Sequence, residues 1–534
     1  MPAVSGGGER NPDRVGRVVD AVGALAIVLH THMPYVEGFG TWPAGEEWLW
    51  EAMATCYVPL LELLDEGAPL TLSMTPVLCD QLEAPGLYER FAAFVEHVRR
   101  ETHEEDAAGL RAGGHETLAA ELERSYGDYL SALEALHARD WNLLAALAGH
   151  VQWTSSATHA VLPLLATDAC VHLQVASGVA AHRRRFGDQT PTGTGWRGGF
   201  WLPECAYAPW LDRALEDVGV AAVCVELTNR LGLGSVEHLR PLASSSGVLL
   251  VPIDRATMSL VWSENGYPAS GAYRDYHHHT VHHHNPWRND GGAYDHAEAR
   301  ALAREHAADF VTRTLARLRD ARQAVGTATA GASRSPLPGG GLVVCALDTE
   351  LLGHWWYEGP YWLRAVVEEC ARQGLALVRL DDALERLEPQ VVPHAGGDDR
   401  VAHDRPRAGE ERGADSASLL ARPCSWGTGG DLSTWSGPAV ADMAFAARAA
   451  ELAVVAAGER AGSAAVRELL ALQASDWPFM VSRELAGPYP RERFEGHRQA
   501  LARALESDLS GRASAHAGPR NLASDADPRL LLAP

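Results

Sequence analysis

The chain has 534 residues, 46% hydrophobic and 22% charged, enough for a large core and for two or three domains. Its 46 basic and 69 acidic residues leave a net charge of −23, which argues against binding nucleic acid or an anionic membrane by bulk electrostatics and fits a neutral or small partner. The 8 cysteines are scattered without a C-x-x-C pair and no stretch approaches membrane-spanning length, so the expectation is a cytoplasmic protein with no cysteine-held zinc.

Residues 1–20 are polar and rich in Gly and Arg, and are expected to be disordered. A catalytic α/β unit is expected over 21–385. Its first buried strand, Ala24 to Leu29, runs into His30-Thr31-His32-Met33-Pro34-Tyr35. Residues two apart on a strand share a face, so both imidazoles can enter one site. His-x-His is also a metal-ligand spacing, and a simple turn-capping role is equally open. Helical spacing covers Glu47 to Asp65. A second strand lies within Pro69 to Pro76, and residues 80–148 read as a long helical excursion. The third strand, Val151 to Thr154, is followed by His159.

Gly198-Gly199-Phe200-Trp201-Leu202-Pro203-Glu204 then repeats a pattern: a short apolar strand ends at a carboxylate flanked by aromatics. Pro203 cannot donate to a ladder and should end the strand. Further strands are expected at 221–225 and 248–252, within a small inserted subdomain at about 205–258. Trp262 follows on a loop. The tract His277-His278-His279-Thr280-Val281-His282-His283-His284 has the low complexity of a segment without fixed ligand geometry, so no metal role is assigned to it.

A helix over Asp295 to Arg319 and an exposed Gly/Pro-rich loop, 326–341, precede the strand that ends in Asp348-Thr349-Glu350-Leu351-Leu352-Gly353-His354-Trp355-Trp356. Leu375 to Leu380 closes the series. Residues 386–420 read as a linker or disordered insertion, 421–510 as a C-terminal helical domain containing Asp476 and Trp477, and 511–534 as a tail.

Strands alternating with helices imply an α/β barrel or a doubly wound sheet; functional groups gathered at carboxyl ends of strands favour the barrel. Two strand-end carboxylates, Glu204 and Asp348, can face each other across a barrel mouth. One can attack an anomeric carbon while the other protonates the leaving oxygen, and the neighbouring rings suit the C–H faces of a pyranose. That chemistry requires no cofactor.

The ordered set His30-Thr31-His32-Met33-Pro34-Tyr35, Ser156-Ala157-Thr158-His159-Ala160, Trp201-Leu202-Pro203-Glu204, Asp348 to Trp356, Ser425-Trp426-Gly427 and Ser475-Asp476-Trp477-Pro478-Phe479 resembles glycoside hydrolase family 57, in its 1,4-α-glucan branching type. The resemblance implies a distorted (β/α)7 TIM-like barrel with an inserted helical subdomain and a C-terminal α-helical domain, acting on an α-1,4-glucan and building a glycogen-like product. It implies Glu204 as nucleophile and Asp348 as general acid/base. His30, His32, His159, Trp426, Trp435 and Asp476 would bind substrate, with no metal; Trp262, His354 and Trp355 are further candidates for substrate binding. A hydrolase or 4-α-glucanotransferase on the same scaffold is the alternative, and a monomer or small homo-oligomer is expected. Branching members carry a mobile loop after the nucleophile strand with a tyrosine associated with transfer; the corresponding stretch here, Glu226 to Leu249, contains none.

Overall fold

The computed structural model describes residues 22–187, 195–328, 341–387, 390–391, 422–510 and 521–532. The expected disordered N-terminus, most of the 326–341 loop, nearly all of the 386–420 linker and much of the 511–534 tail lie outside them.

The strands are β1 (Gly23–Thr31), β2 (Thr71–Met74), β3 (Val151–Ser155), β4 (Gly199–Trp201), β5 (Ala222–Val225), β6 (Leu242–Ala243), β7 (Leu249–Pro252), β8 (Gly341–Asp348), β9 (Ala376–Leu377) and β10 (Gln390–Val391). They form one sheet in the order β10-β6-β7-β5-β4-β3-β2-β1-β8, with β9 also on β1. The run from β7 through β8 is parallel throughout, and β6 is antiparallel to β7. Parallel strands covered on both faces are continuous apolar runs rather than alternating ones. Leu25 to Leu29 and Leu342 to Leu347 follow that rule, each residue at most 2% exposed. The sheet curls, and just past β7 the Asp254 amide donates to the Val344 carbonyl of β8 at 2.9 Å, bringing the two ends of the parallel run together.

Residues 205–258 supply β5 and β7 to this sheet along with β6 and short helical turns. The long helical excursion is found between β2 and β3, with helices Leu87–Ala93, Arg100–Ala112 and Glu116–His137. The helix expected over Asp295 to Arg319 runs from His296 to Ala328. C-terminal helices Ala441–Ala457, Ser463–Leu472, Asp476–Ser482 and Tyr489–Ser510 pack on a separate core that includes Val454, Leu469, Leu470 and Trp477. No helix among the described residues is long and apolar enough to cross a membrane.

The loop after β8 is pressed against the helical segment after β1. Gly353 adopts φ +117°, and a Cβ there would lie 2.0 Å from the Thr55 carbonyl oxygen, so only glycine permits the close approach.

Candidate active site

The register of the sheet sets the first contacts. On β1, His30 stands opposite Ser73 of β2 on one side and Asp348 of β8 on the other, all at the carboxyl ends of their strands. The β4 strand ends at Trp201, two residues before the proline expected to stop it, and the chain turns sharply: Glu204 and Cys205 have φ of +63° and +49°, left-handed values that non-glycine residues rarely adopt. Two chain segments brace this turn. Tyr207 and Cys424 exchange backbone hydrogen bonds at 2.9 Å, and the Trp426 amide donates to the Glu204 carbonyl at 3.0 Å. His159, at φ +60°, is held in the same way, its carbonyl accepting from the Ser475 amide at 3.0 Å.

The Glu204 carboxylate takes one donor on each oxygen, the Trp426 indole on Oε2 and the Ser475 hydroxyl on Oε1, both at 2.8 Å. Burial pushes its pKa up, the two donors and His32 pull it back, and the net displacement is upward. Asp348 is half-buried at the mouth and, among the described residues, no donor reaches its carboxyl group. Desolvation, then the charges of Glu350, Glu204 and Asp476, hold its pKa well above the usual carboxylate range. The two acids therefore differ in the way a nucleophile and a proton donor must: one is supplied with donors, the other is left without.

Three imidazoles pack beside them. His32 and His159 stack at 4.0 Å between centroids, and His30 lies on the Trp201 ring at 4.5 Å. His30 Nε2 meets His159 Nε2 at 2.9 Å, and His159 Nδ1 meets Ser475 Oγ at 2.8 Å. His32 bonds Asp476 through Nε2 at 2.9 Å and Thr75 through Nδ1 at 3.1 Å. Burial lowers the pKa of His30 and of His159 far below the ordinary imidazole value; for His32 burial is outweighed by Asp476, Glu350 and Glu204, and its pKa rises. Donor atoms of His32, His159 and Asp476 lie within 4.8 Å of one another, a spacing that can hold a cation. Both nitrogens of each ring have a protein partner, while Asp476 engages only Oδ1 and its Oδ2 has none among the described residues.

Sequence reasoning picked out most of this cluster and missed part of it. Ser475 stands in the sequence only as a member of the Ser475 to Phe479 stretch, with nothing local to mark its role. Glu350 accepts from the His32 amide at 3.1 Å and from the Tyr57 hydroxyl at 2.7 Å, and burial, countered by these donors, leaves its pKa at about 7. Its position two residues after Asp348 was the available signal; Tyr57, within a helical run, carried none.

The aromatic residues divide. Trp201, Trp426 and Trp262 form an edge-to-face row with centroids 5.2 and 5.4 Å apart, and Trp262 is 39% exposed at its outer end. His354 and Trp355 point instead into a neighbouring cavity of about 340 Å³, shared with Trp42, Trp48 and Tyr276, whose lining includes neither Glu204 nor Asp348. Trp435 departs from the expectation. It is 2% exposed and packs behind Gly427, so its ring offers no open face to a sugar and instead supports the Trp426 turn. The histidine tract has more definite geometry than its composition suggested: His278 stacks on Trp287 at 3.9 Å, and His282 Nδ1 bonds Asp106 at 2.8 Å, because charged and aromatic partners from other segments hold it.

The family model described as "Glycosyl hydrolase family 57" matches residues 152–396, and "1,4-alpha-glucan branching enzyme, C-terminal" matches residues 439–520. A curated protein of Mycobacterium tuberculosis, named as a probable 1,4-alpha-glucan branching enzyme, is 30% identical over 92% of this chain and 93% of its own length. The chain belongs to glycosyl hydrolase family 57. A 1,4-alpha-glucan branching enzyme of Thermococcus kodakarensis is 29% identical over 88% of the chain and 71% of its own length. Among solved structures, the family 57 branching enzyme of Pyrococcus horikoshii superposes with a TM-score of 0.75 at 29% identity, covering 92% of each chain. The α-amylase AmyC of Thermotoga maritima, at 23% identity and a TM-score of 0.72 over 96% of this chain and 99% of that one, shares the fold. The family 57 architecture is thus a distorted TIM-like barrel joined to a C-terminal helical unit, as the sequence implied.

Proposed function

We propose that this protein is a retaining 1,4-α-glucan branching enzyme, cleaving an α-1,4-linked chain and passing it to a 6-hydroxyl to form an α-1,6 branch. The observation that carries this reading is a convergence. Glu204 and Asp348 come from the stretch matching the hydrolase family, and the Ser475 hydroxyl and Asp476 carboxylate that meet Glu204 and His32 come from the stretch matching the branching-enzyme C-terminal model.

In the first step the Glu204 carboxylate attacks the anomeric carbon while the protonated Asp348 gives its proton to the departing O4, leaving a glycosyl ester on Glu204. In the second, Asp348, now ionised, takes the proton of an incoming 6-hydroxyl as that oxygen attacks from the face O4 left, opposite Glu204, and displaces it. Two inversions give net retention. His30, His32, His159 and Asp476 surround the sugar beside Glu204, and Trp262 and Trp426 offer ring edges and faces along the groove. His354 and Trp355 continue the binding surface into the adjoining cavity. A reducing cytoplasmic setting is supported by the 8 free cysteines, all buried.

One observation favours a second reading, hydrolysis or 4-α-transfer on the same scaffold: Glu226 to Leu249 lacks a tyrosine. Linkage analysis of amylose incubated with the purified protein separates the two. New α-1,6 linkages at constant reducing power support branching; growth of reducing ends, or disproportionated linear chains, without branches would replace it with the second reading.

A further inference from the structure

We infer that Ser73, His30, His159, Ser475 and Glu204 form a one-way relay of hydrogen bonds, every proton donated toward the Glu204 carboxylate, in which Ser475 and His159 are positioning residues for the nucleophile. The inference rests on the assignment of Glu204 as nucleophile.

The direction follows from counting protons. An ionised carboxylate has none to give, so at the 2.8 Å contact Ser475 Oγ donates to Glu204 Oε1. A hydroxyl has one proton, so at its other contact, 2.8 Å from His159 Nδ1, Ser475 must accept. His159 therefore carries its proton on Nδ1. A neutral imidazole has one N–H, which leaves His159 Nε2 bare, and it accepts from His30 Nε2 at 2.9 Å. His30 is then bare at Nδ1, which faces the Ser73 hydroxyl at 3.4 Å, the longest link of the series. Both rings are buried and both face the His32 ring, conditions that oppose a charge on either.

The frame is rigid at each joint. Trp201 stacks on His30, the backbone of Ser475 bonds that of His159, and His159 sits at a left-handed φ that fixes the ring's approach. Glu204 Oε2 is served by Trp426, so the aim of Oε1 depends on Ser475. The alternative is a buried polar network that merely satisfies its members. In that case the tautomers would be free to invert, and losing Ser475 would change stability but not the titration of Glu204.

Two measurements decide. Nitrogen NMR of the full-length protein labelled at histidine, with His30 and His159 assigned by single substitutions, should find the proton on Nδ1 of His159 and on Nε2 of His30. In Ser475→Ala the His159 preference should weaken. This readout does not depend on the glucan reading, so tautomers as stated in a protein inactive on every glucan would sink the proposed function and leave the relay standing.

The kinetic arm uses α-glucosyl fluoride. The charged and titratable groups facing Glu204 are His159, His32, Asp476 and Asp348. None changes in Ser475→Ala, while the ionised form of Glu204 loses a donor. Its pKa rises, and the acidic limb of kcat/KM moves to higher pH. Below that limb the rate should fall about 10- to 100-fold, the value of one hydrogen bond to a charged group, with KM little changed, and Ser475→Thr should restore the profile. Inverted tautomers, or a Ser475→Ala protein that keeps the wild-type acidic limb whether or not its melting temperature falls, would overturn the relay.

Discussion

Deleting the two carboxylates one at a time tests the division of labour at the site. Desolvation first, then the negative charges of Glu350, Glu204 and Asp476, act on Asp348, which has no hydrogen-bond donor among the described residues, so it holds its proton more strongly than an ordinary aspartate. On the proposed assignment, activity requires Asp348 protonated and Glu204 ionised. The acidic limb of the pH profile therefore belongs to Glu204, and the basic limb to Asp348, displaced upward. Removing a general acid costs about 10²- to 10⁴-fold on a leaving group that needs the proton. Asp348→Ala should lose that much on amylose, yet keep most of the first-step rate on α-glucosyl fluoride, where the basic limb should vanish. The glycosyl ester on Glu204 still forms, and azide attacking it gives a glucosyl azide of retained configuration. In Glu204→Ala no ester forms; azide occupies the freed side and gives the inverted product. Anomeric assignment of the two azides by proton NMR is the assay. Opposite configurations would reverse the roles, and full activity of both variants on amylose would move the chemistry elsewhere in the molecule.

Other outcomes can be stated briefly. Trp426→Phe keeps a ring but removes the 2.8 Å indole donor from Glu204, so the acidic limb should climb by about 1–2 pH units, and an unmoved limb would show the bond to be idle. Trp355→Ala removes a half-exposed ring packed 4.5 Å from Tyr276 in the adjoining cavity; KM for amylose should rise roughly 2- to 10-fold with kcat unchanged, measured by initial rates. Gly178→Ala would place a Cβ 2.0 Å from the Ser155 carbonyl at the end of β3, and should destabilise the fold by about 1–3 kcal/mol or more, read as a lowered melting temperature.

The strands of the barrel were legible in the sequence because a parallel strand buried on both faces is written as an unbroken apolar run. Leu342 to Leu347 and Leu25 to Leu29 are unambiguous on that ground. So were the strand-end positions of His30 and Asp348, which follow directly on such runs; Glu204 and His159 lie three and four residues beyond the shorter strands β4 and β3. Short strands were harder: β6 and β10 have two residues each and no periodicity to detect.

What the sequence could not contain is who meets whom. His30 touches His159 across 129 residues of chain, and Ser475 reaches Glu204 across 271. These pairings are set by sheet register and by how the C-terminal helices dock on the barrel, and neither is encoded in local pattern. The same holds for the split fate of the tryptophans. Trp426 and Trp435 are nine residues apart on a polar, Gly-rich segment and look alike as candidates, yet one indole bonds Glu204 and the other is buried behind Gly427. Local sequence fixes that a ring is present and a strand ends; only packing between distant segments decides whether that ring faces a substrate or a core.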